Sequence, residues 1–155
     1  MQCEIDGVII RKLNRFDDSR GWLTELFRHD ELPRDYHPVM SYISMTRPGI
    51  ARGPHEHVDQ SDLFCFLGPS TFRLYLWDNR PSSPTHGLRF EADFGESRRA
   101  LVIVPPGVVH AYKNIGTVDG IVFNAPNRLY AGEGRTYPVD EIRHESDSDS
   151  PFQVD

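Results

Sequence analysis

Cysteine is scarce in this chain of 155 residues, which contains only Cys3 and Cys65. Small secreted domains often depend on several disulfides, and two cysteines far apart in the sequence do not make such a framework. Cys65 also stands inside an apolar stretch. We therefore expect a reducing compartment, and the sequence predicts a cytoplasmic protein.

Long hydrophobic runs are missing as well. No apolar stretch approaches the roughly 20 residues that a membrane-spanning helix requires. Residues 1–6 lack the basic region, followed by an apolar one, that marks a signal peptide. We therefore expect neither a secretory signal nor a membrane partner.

Positive charge is in deficit, because 17 Lys and Arg stand against 23 Asp and Glu and give a net charge of −6. A nucleic-acid partner requires a basic face, so this balance argues against one. Part of the acidity lies in residues 146–155, where Ser and Asp alternate, and we expect this tail to be disordered. The remaining length fits one domain, which we place at residues 1–145.

Long helical periodicity is also absent, although residues 139–145 are compatible with a short helix. Short apolar runs stand instead between turns that contain Gly and Pro. Phe72, Leu74 and Leu76 alternate with Arg73, Tyr75 and Trp77, which is typical of a strand with two different faces. The pattern predicts an all-β sandwich or small barrel. The predicted strands are residues 5–13, 22–27, 39–46, 63–67, 71–77, 88–90, 101–104 and 120–124.

Two stretches that contain histidine carry the chemistry. The first places Arg52 before a Gly-Pro turn, with His55 and His57 after it. On a strand the period of two puts both imidazoles on one face, whereas in a loop they would be ordinary surface histidines. The second is an apolar strand that ends in Pro-Pro-Gly and continues to His110. The occurrence of histidine in two such stretches favours a functional site.

The spacing of these residues resembles the two motifs of the cupin superfamily. Asp62 stands where the superfamily usually has a glutamate. The first motif comprises Gly49, His55, His57, Asp62 and Gly68. The second motif comprises Pro105, Gly107, His110 and Asn114. The resemblance implies a cupin jelly-roll barrel, also called a double-stranded β-helix.

Within that superfamily the chain resembles the dTDP-4-dehydrorhamnose 3,5-epimerase family, from about residue 16 to about residue 145. The family is dimeric, so we expect a homodimer in which residues 5–13 exchange or pair. The resemblance is carried by Asp18-Ser19-Arg20-Gly21-Trp22-Leu23-Thr24-Glu25, Arg52-Gly53-Pro54-His55, the loop 77–87 and Pro105-Pro106-Gly107-Val108-Val109-His110.

The resemblance implies roles for individual residues and no cofactor. His55 matches the catalytic base, and His110 matches a residue that contacts the sugar. The implied partner is a nucleotide-diphosphate sugar, whose base stacks on a tyrosine. The positions that match substrate-binding residues are Arg20, Glu25, Arg52 and Tyr130.

The implied reaction is epimerisation or isomerisation of a 4-keto-6-deoxy sugar nucleotide, in deoxysugar or surface polysaccharide biosynthesis. Protons on the carbons that flank a keto group are acidic. The reaction therefore requires a base, a proton donor on the opposite face and a group that stabilises the enolate. Arginine suits the diphosphate because its planar fork binds two oxygens at once.

The chain departs from the family at the positions for enolate stabilisation and proton donation. Asp62 matches a lysine near the sugar carbonyl, and Phe123 or Asn124 matches the donor tyrosine. Met40 and Tyr42 replace a glutamine and an asparagine. Three candidates stay open for the acid that partners the base: Asp78, Asp140 and Glu141. The open candidates for a replacement acid or base are Glu56, His57, Tyr75 and Tyr112.

A metal site is the main alternative. His55, His57, Asp62 and His110 offer three imidazoles and one carboxylate, a set that suits one divalent transition metal. A histidine whose lone pair binds a metal cannot also take a proton from carbon, so His55 is ligand or base. In this alternative the chain is a metalloenzyme such as a dioxygenase, or a ligand-binding module. The segment 20–25 and the loop 79–85 favour the metal-free base, and a non-catalytic sugar-nucleotide binder is a third possibility.

Overall fold

The chain folds almost entirely into β-strands in the computed structural model, which describes residues 2–155. Short 3-10 turns lie at Arg34–Tyr36 and Glu133–Arg135. In the described part of the chain, no helix is long and apolar enough to cross a bilayer. The strands are β1 (Ile9–Lys12), β2 (Phe16–Asp18), β3 (Gly21–Leu23), β4 (Tyr42–Thr46), β5 (Ala51–Glu56), β6 (Asp62–Gly68), β7 (Thr71–Asp78), β8 (Arg89–Gly95), β9 (Ala100–Val104), β10 (Val108–Asn114), β11 (Gly120–Asn124) and β12 (Ile142–Arg143).

Two five-stranded sheets form the barrel. The strand order is β1-β9-β6-β11-β4 in one sheet and β12-β5-β10-β7-β8 in the other, and a β2–β3 hairpin stands apart from both. All the paired strands are antiparallel. The inner faces of the sheets meet in a buried apolar cluster, so the all-β prediction is confirmed.

Strand β7 shows why the alternating pattern produces this core. Phe72, Leu74 and Leu76 are fully buried in the main cluster between the sheets. Tyr75 and Trp77 point to the opposite face, where they form a smaller aromatic cluster. The period of two therefore assigns each residue to the face that the sequence predicts.

Residues 139–145 do not form the predicted short helix. They contain β12, in which Ile142 pairs with Glu56 and Arg143 pairs with His55 of β5. The edge of β5 leaves backbone donors and acceptors that a short strand satisfies, and this requirement outweighs the weak helical pattern. The predicted strand at 22–27 is also too long, because β3 ends at Leu23.

The acidic tail packs against the barrel, although its composition led us to expect disorder. Phe152 and Val154 contact the aromatic cluster on the outer face of β7. The ring of Phe152 lies 5.7 Å from that of Trp77, and Lys113 Nζ donates a hydrogen bond to the Asp155 backbone carbonyl at 2.6 Å. Two apolar side chains thus anchor a segment whose remaining residues are polar.

Candidate functional site

A cavity of about 960 Å³ opens at one end of the barrel. Strands β4, β5, β6, β10 and β11 supply its inner wall, and residues 126–145 supply much of its rim. Its size falls in the range of pockets that bind small molecules. The first motif lies on this wall, so the cavity is the candidate active site.

The histidine cluster is defined as His55, His57, Asp62 and His110. The first three line this cavity, and His110 is buried next to them. One possible ligand atom from each residue lies within 4.8 Å of the others. His57, Asp62 and His110 are buried, with exposed fractions of 7%, 5% and 2%. The structure therefore brings together the four residues that the two motifs indicate.

A bulge in β5 lies next to the paired histidines His55 and His110, whose rings meet edge to face with centres 4.4 Å apart. His55 pairs with His110 across the β5–β10 ladder, and the register shifts before the next pair. Gly53 lies in the shifted segment with a φ of +80°, and a Cβ there would lie 2.5 Å from the carbonyl oxygen of His110. Glycine is therefore required at this position, because any side chain would separate the strands.

Asp62 is the centre of the cluster. Its Oδ2 atom lies 3.0 Å from Nε2 of His57 and 3.0 Å from Nε2 of His110. Its other oxygen accepts a hydrogen bond of 2.8 Å from the side-chain amide of Gln60. One carboxylate oxygen is thus held by the amide, and the other is directed between two imidazoles.

Asp140 supports the cluster from the rim. Its backbone carbonyl contacts Nδ1 of His57. Its carboxylate accepts hydrogen bonds of 2.7, 2.8 and 2.8 Å from the backbone amides of residues 58, 59 and 60. Because these bonds use the carboxylate, Asp140 positions the loop and the ring of His57.

The protonation states of the cluster differ from one residue to the next. Burial and the nearby His110 lower the pKa of His55 far below its usual value. Burial by itself lowers the pKa of His57, but the contact with Asp62 outweighs it and raises the pKa to about 9. Burial by itself raises the pKa of Asp62, but its contacts with His110 and His57 outweigh this and lower it. His55 is therefore the neutral imidazole that a general base requires.

Two of the predicted substrate-binding residues line the cavity. Arg52 reaches along the wall, where it donates hydrogen bonds to Thr46 Oγ1 at 2.9 Å and to the Met45 carbonyl at 2.8 Å. Tyr130 lies on the rim with 57% of its surface exposed. Both are placed where a ligand in the cavity could contact them.

Arg20 and Glu25 do not line this cavity. Arg20 lies at the tip of the β2–β3 hairpin, where it is exposed and forms an ion pair of 2.6 Å with Asp18. Glu25 lies in a separate, smaller cleft. Local hydrogen bonding in the Asp-Ser-Arg-Gly turn explains the position of Arg20 within a single chain.

Of the candidates for a replacement acid or base, some line the cavity and others do not. Tyr112 lines the cavity, and its hydroxyl lies 2.9 Å from Ser44 Oγ. Glu56 instead accepts hydrogen bonds from Asn79 and His144, and Tyr75 packs on the outer face of the barrel. Tyr112 and His57 are therefore the candidates that the structure places in the site.

The sequence did not indicate three arginines of the rim. Arg128, Arg135 and Arg143 line the cavity beside Tyr130. They lie in loops and in β12, and no periodic pattern identifies them. The available signal was their concentration in residues 128–143, directly after the last predicted strand.

Comparison with known proteins identifies the family. Residues 2–137 match the family described as dTDP-4-dehydrorhamnose 3,5-epimerase. The chain belongs to this family. The predicted family and the predicted epimerase type of isomerase activity are therefore confirmed.

Curated relatives agree with this assignment. The Haloferax volcanii protein "Probable low-salt glycan biosynthesis epimerase Agl13" is 38% identical over 128 residues, which cover 81% of each chain. The Bacillus subtilis "Spore coat polysaccharide biosynthesis protein SpsL" is 35% identical over 112 residues, which cover 72% of this chain and 73% of that protein.

Solved structures of family members confirm the jelly-roll fold. The dTDP sugar isomerase from Desulfovibrio desulfuricans superimposes with a TM-score of 0.80 at 21% identity, over 96% of this chain and 91% of that chain. The dTDP-4-dehydrorhamnose 3,5-epimerase from Sulfolobus tokodaii has a TM-score of 0.76 at 24% identity, over 98% of this chain and 85% of that chain.

Proposed function

We propose that this family member acts on a 4-keto-6-deoxy sugar nucleotide and that His55 removes a proton next to the keto group. The observation that carries the proposal is a half-buried imidazole with a strongly lowered pKa in the wall of a cavity large enough for the sugar. A base of this kind is effective because the surrounding protein excludes water from the reacting carbon. His110, which pairs with His55 across the ladder, is proposed to contact the sugar.

The rim is proposed to hold the nucleotide diphosphate. Arg52, Arg128, Arg135 and Arg143 line the same cavity and can offer planar, charged donors to phosphate oxygens. Tyr130 is exposed beside them, and its ring is available to stack on the nucleotide base. The sugar is thereby directed inward to the histidines, while the charged groups remain near water.

Tyr112 is the proposed proton donor. It stands two residues after His110 on β10, so the two side chains share one face of the strand, and Tyr112 lines the cavity. Burial raises the pKa of its phenol, which keeps the proton on the oxygen at neutral pH. The hydroxyl of Ser44 holds the phenol in position.

We also propose a cytoplasmic homodimer, active in deoxysugar or surface polysaccharide biosynthesis. The apolar edge strand β4 supports the dimer, because Ile43 and Met45 are 67% and 47% exposed. Strand β1 already pairs with β9 in its own chain, so its exchange is not needed to complete the sheet. The free thiols of Cys3 and Cys65 support the location.

A dimer gives the β2–β3 hairpin a role. The hairpin exposes Trp22 and Leu23, at 48% and 57%, beside Arg20. We propose that it covers the cavity of the second copy and delivers Arg20 and Glu25 there. Light scattering at micromolar concentration should give twice the chain mass, and a monomer would contradict this arrangement.

Solvent exchange tests the chemistry. The protein is incubated in D₂O with 4-keto-6-deoxy sugars carried on dTDP, UDP, GDP or CDP, and deuterium at the carbons beside the keto group is followed by NMR. His55→Asn should lower the exchange rate by about 10²–10⁴-fold, which is the usual contribution of a general base. Tyr112→Phe should retain exchange but lose inversion, because only the donor is removed.

The controls separate chemistry from folding. Circular dichroism should show that both variants retain the β-sheet signal. Tyr75→Phe is the matched control, because Tyr75 also lies in the second sheet but faces away from the cavity. Undiminished exchange by His55→Asn would remove His55 from the mechanism, and normal inversion by Tyr112→Phe would remove Tyr112.

A further inference from the structure

The ring of Tyr112 is held by packing, so hydrogen bonds decide where its hydroxyl proton points. Only 4% of the residue is exposed. Its ring meets the rings of Phe64, Phe66 and Phe72 edge to face, with centres 5.6, 5.7 and 5.7 Å away. Three aromatic contacts hold the ring in one orientation. The direction of the phenolic O–H bond is the freedom that remains at this side chain.

The side-chain amide of Asn124 has a fixed orientation. Asn124 is 2% exposed, and its Nδ2 atom lies 2.9 Å from the backbone carbonyl oxygen of Val122. A carbonyl oxygen only accepts hydrogen bonds, so the amide nitrogen, and not the amide oxygen, must face it. The second hydrogen of the same nitrogen is donated to Ser44 Oγ at 3.2 Å. The oxygen of Ser44 is therefore an acceptor for Asn124.

The single proton of Ser44 then has one good acceptor. Tyr112 Oη lies 2.9 Å from Ser44 Oγ. The carbonyl of Val122 lies 3.5 Å away, beyond the usual range for a hydroxyl donor, and already accepts from Asn124. Ser44 therefore donates to Tyr112, whose oxygen makes no other hydrogen bond to the described residues. The phenolic proton stays unused on a side chain that lines the cavity.

We propose that Asn124 and Ser44 form a donor chain that turns the phenolic proton of Tyr112 toward the cavity. Both are positioning residues, because they act through Tyr112. The inference rests on the proposed function, in which Tyr112 is the proton donor. In the opposite arrangement Tyr112 would donate to Ser44, and its proton would be held by the protein instead of being directed at the substrate.

The donor chain also stabilises what the proton transfer leaves behind. In this step the O–H bond of Tyr112 breaks as a C–H bond forms at the enolate carbon, and the phenol becomes a phenolate. The hydrogen bond from Ser44 strengthens as this negative charge develops. Water then returns a proton to the phenolate and accepts the proton that His55 removed from the sugar, which balances the cycle.

Neutron diffraction tests the direction of the hydrogen bond without any sugar. Crystals of the wild-type protein are exchanged into D₂O near neutral pH, so that hydroxyl and amide hydrogens are replaced by deuterium. The nuclear density should place the Ser44 deuteron between Oγ and Tyr112 Oη, and the Tyr112 deuteron on the cavity side. A Tyr112 deuteron directed at Ser44 Oγ would overturn the inference.

Variants of Ser44 and Asn124 test the function of the chain, with deuterium exchange and inversion measured together. Ser44→Ala should lower inversion about three- to tenfold, the usual weight of one hydrogen bond, and leave exchange unchanged. Ser44→Thr keeps a hydroxyl and should restore inversion. Asn124→Leu removes both amide hydrogens at similar volume, and it should lower inversion by less than Ser44→Ala because Ser44 can still donate.

Two controls separate positioning from folding. Ser70 is a buried serine that donates to the asparagine side chain of Asn114 at 2.6 Å, and neither residue lines the cavity. Ser70→Ala is therefore the matched control, and it should leave both rates unchanged. In a double-mutant cycle, Ser44→Ala should cause no further loss of inversion when it is combined with Tyr112→Phe.

Each outcome bears on a different statement. Equal losses of exchange and inversion in Ser44→Ala, or a further loss on top of Tyr112→Phe, would show a structural role and overturn the inference. Normal inversion by folded Ser44→Ala would also overturn it. Absence of exchange by the wild type with every sugar would contradict the proposed reaction instead, and the neutron map would still decide the direction of the hydrogen bond.

Discussion

Two buried aspartates of this barrel have opposite environments. Asp62 in the histidine cluster lies beside the Nε2 atoms of two imidazoles and lines the open cavity. Asp78 belongs to a loop network, defined as Asp78, Arg80, Ser83 and Thr85, in which every partner donates a hydrogen bond. The difference indicates that a buried carboxylate whose donors belong to one closed loop maintains structure, whereas a carboxylate that lines a cavity is placed to affect a ligand.

The loop network explains why the segment after β7 resembles the family although it does not line the cavity. The Asp78 side chain is fully buried, and Arg80 donates to it from Nε at 2.8 Å. Thr85 also donates to Asp78, at 2.6 Å, and accepts a hydrogen bond from the backbone amide of Asp6 at 2.9 Å. The family-like loop 77–87 therefore ties the N-terminal segment to the barrel.

The largest expected effect comes from removing the structural carboxylate. Asp78→Ala leaves Arg80 without its charged partner, and we expect the free energy of unfolding to fall by about 3–5 kcal/mol. Urea denaturation measures this change. Asp93→Ala is the matched control, because its ion pair with Arg73 is roughly 40% exposed and should contribute at most about 1 kcal/mol. Equal decreases in the free energy of unfolding for the two variants would contradict the structural role assigned to Asp78.

A substitution in the cavity wall should change the affinity for a ligand and not the free energy of unfolding. Arg52→Ala removes a charged donor from the wall, and charge-assisted hydrogen bonds contribute about 1.5–3 kcal/mol each. The Kd of a nucleotide diphosphate should therefore rise about tenfold or more, as measured by titration calorimetry. Arg73→Ala lies outside the cavity and is the control. An unchanged Kd across the dTDP, UDP, GDP and CDP series would contradict the proposed rim.

Acid should weaken the loop network. Burial by itself raises the pKa of Asp78, but hydrogen bonds from Arg80, Ser83 and Thr85 outweigh it and hold the pKa well below its usual value. The unfolded chain therefore binds the proton first, and the stabilisation is full above about pH 5 and is lost as the pH falls. Asp78→Asn should reduce the slope of the free energy of unfolding against pH in acid, by up to about 1.4 kcal/mol per pH unit. The acid limb of a plot of Tm against pH should therefore become flatter. An unchanged acid limb would show that Asp78 does not carry this dependence.

The smallest expected effect concerns the tail. Phe152→Ala removes a partly buried ring from the outer aromatic cluster, and we expect a loss of about 1–2 kcal/mol in the free energy of unfolding. Tryptophan fluorescence should also change, because Trp77 becomes more accessible to water. Gln153→Ala, beside it, should change neither quantity. Identical spectra for Phe152→Ala and the wild type would mean that the tail does not pack on Trp77 in solution.

The strands and the histidine cluster could be predicted because their signals are local. The period of two fixes the face of each residue in β7. His55, His57 and Asp62 lie within eight consecutive residues, at the end of β5, in the connection that follows and at the start of β6. The pairing of His55 with His110 joins two such motifs at matching positions in adjacent strands.

The rim could not be predicted in this way. Arg128, Arg135 and Arg143 reach the cavity through loop geometry and through β12, whose pairing with β5 depends on an edge created by the rest of the sheet. Arg20 was assigned from resemblance alone, and a single chain does not place it beside the cavity. Long-range placement of this kind is decided by packing and assembly, which leave no local pattern.

The contact between Asp140 and His57 also fixes an order of events during synthesis. The two residues are 83 positions apart, and the ribosome releases the chain from its N-terminus. Strand β5 can pair with β10, and β6 with β9, while residues 139–145 are still inside the exit tunnel. The contact of Asp140 must wait, because closing such a long loop requires its distal end. A nascent chain can therefore form most of the barrel before Asp140 reaches the ring of His57.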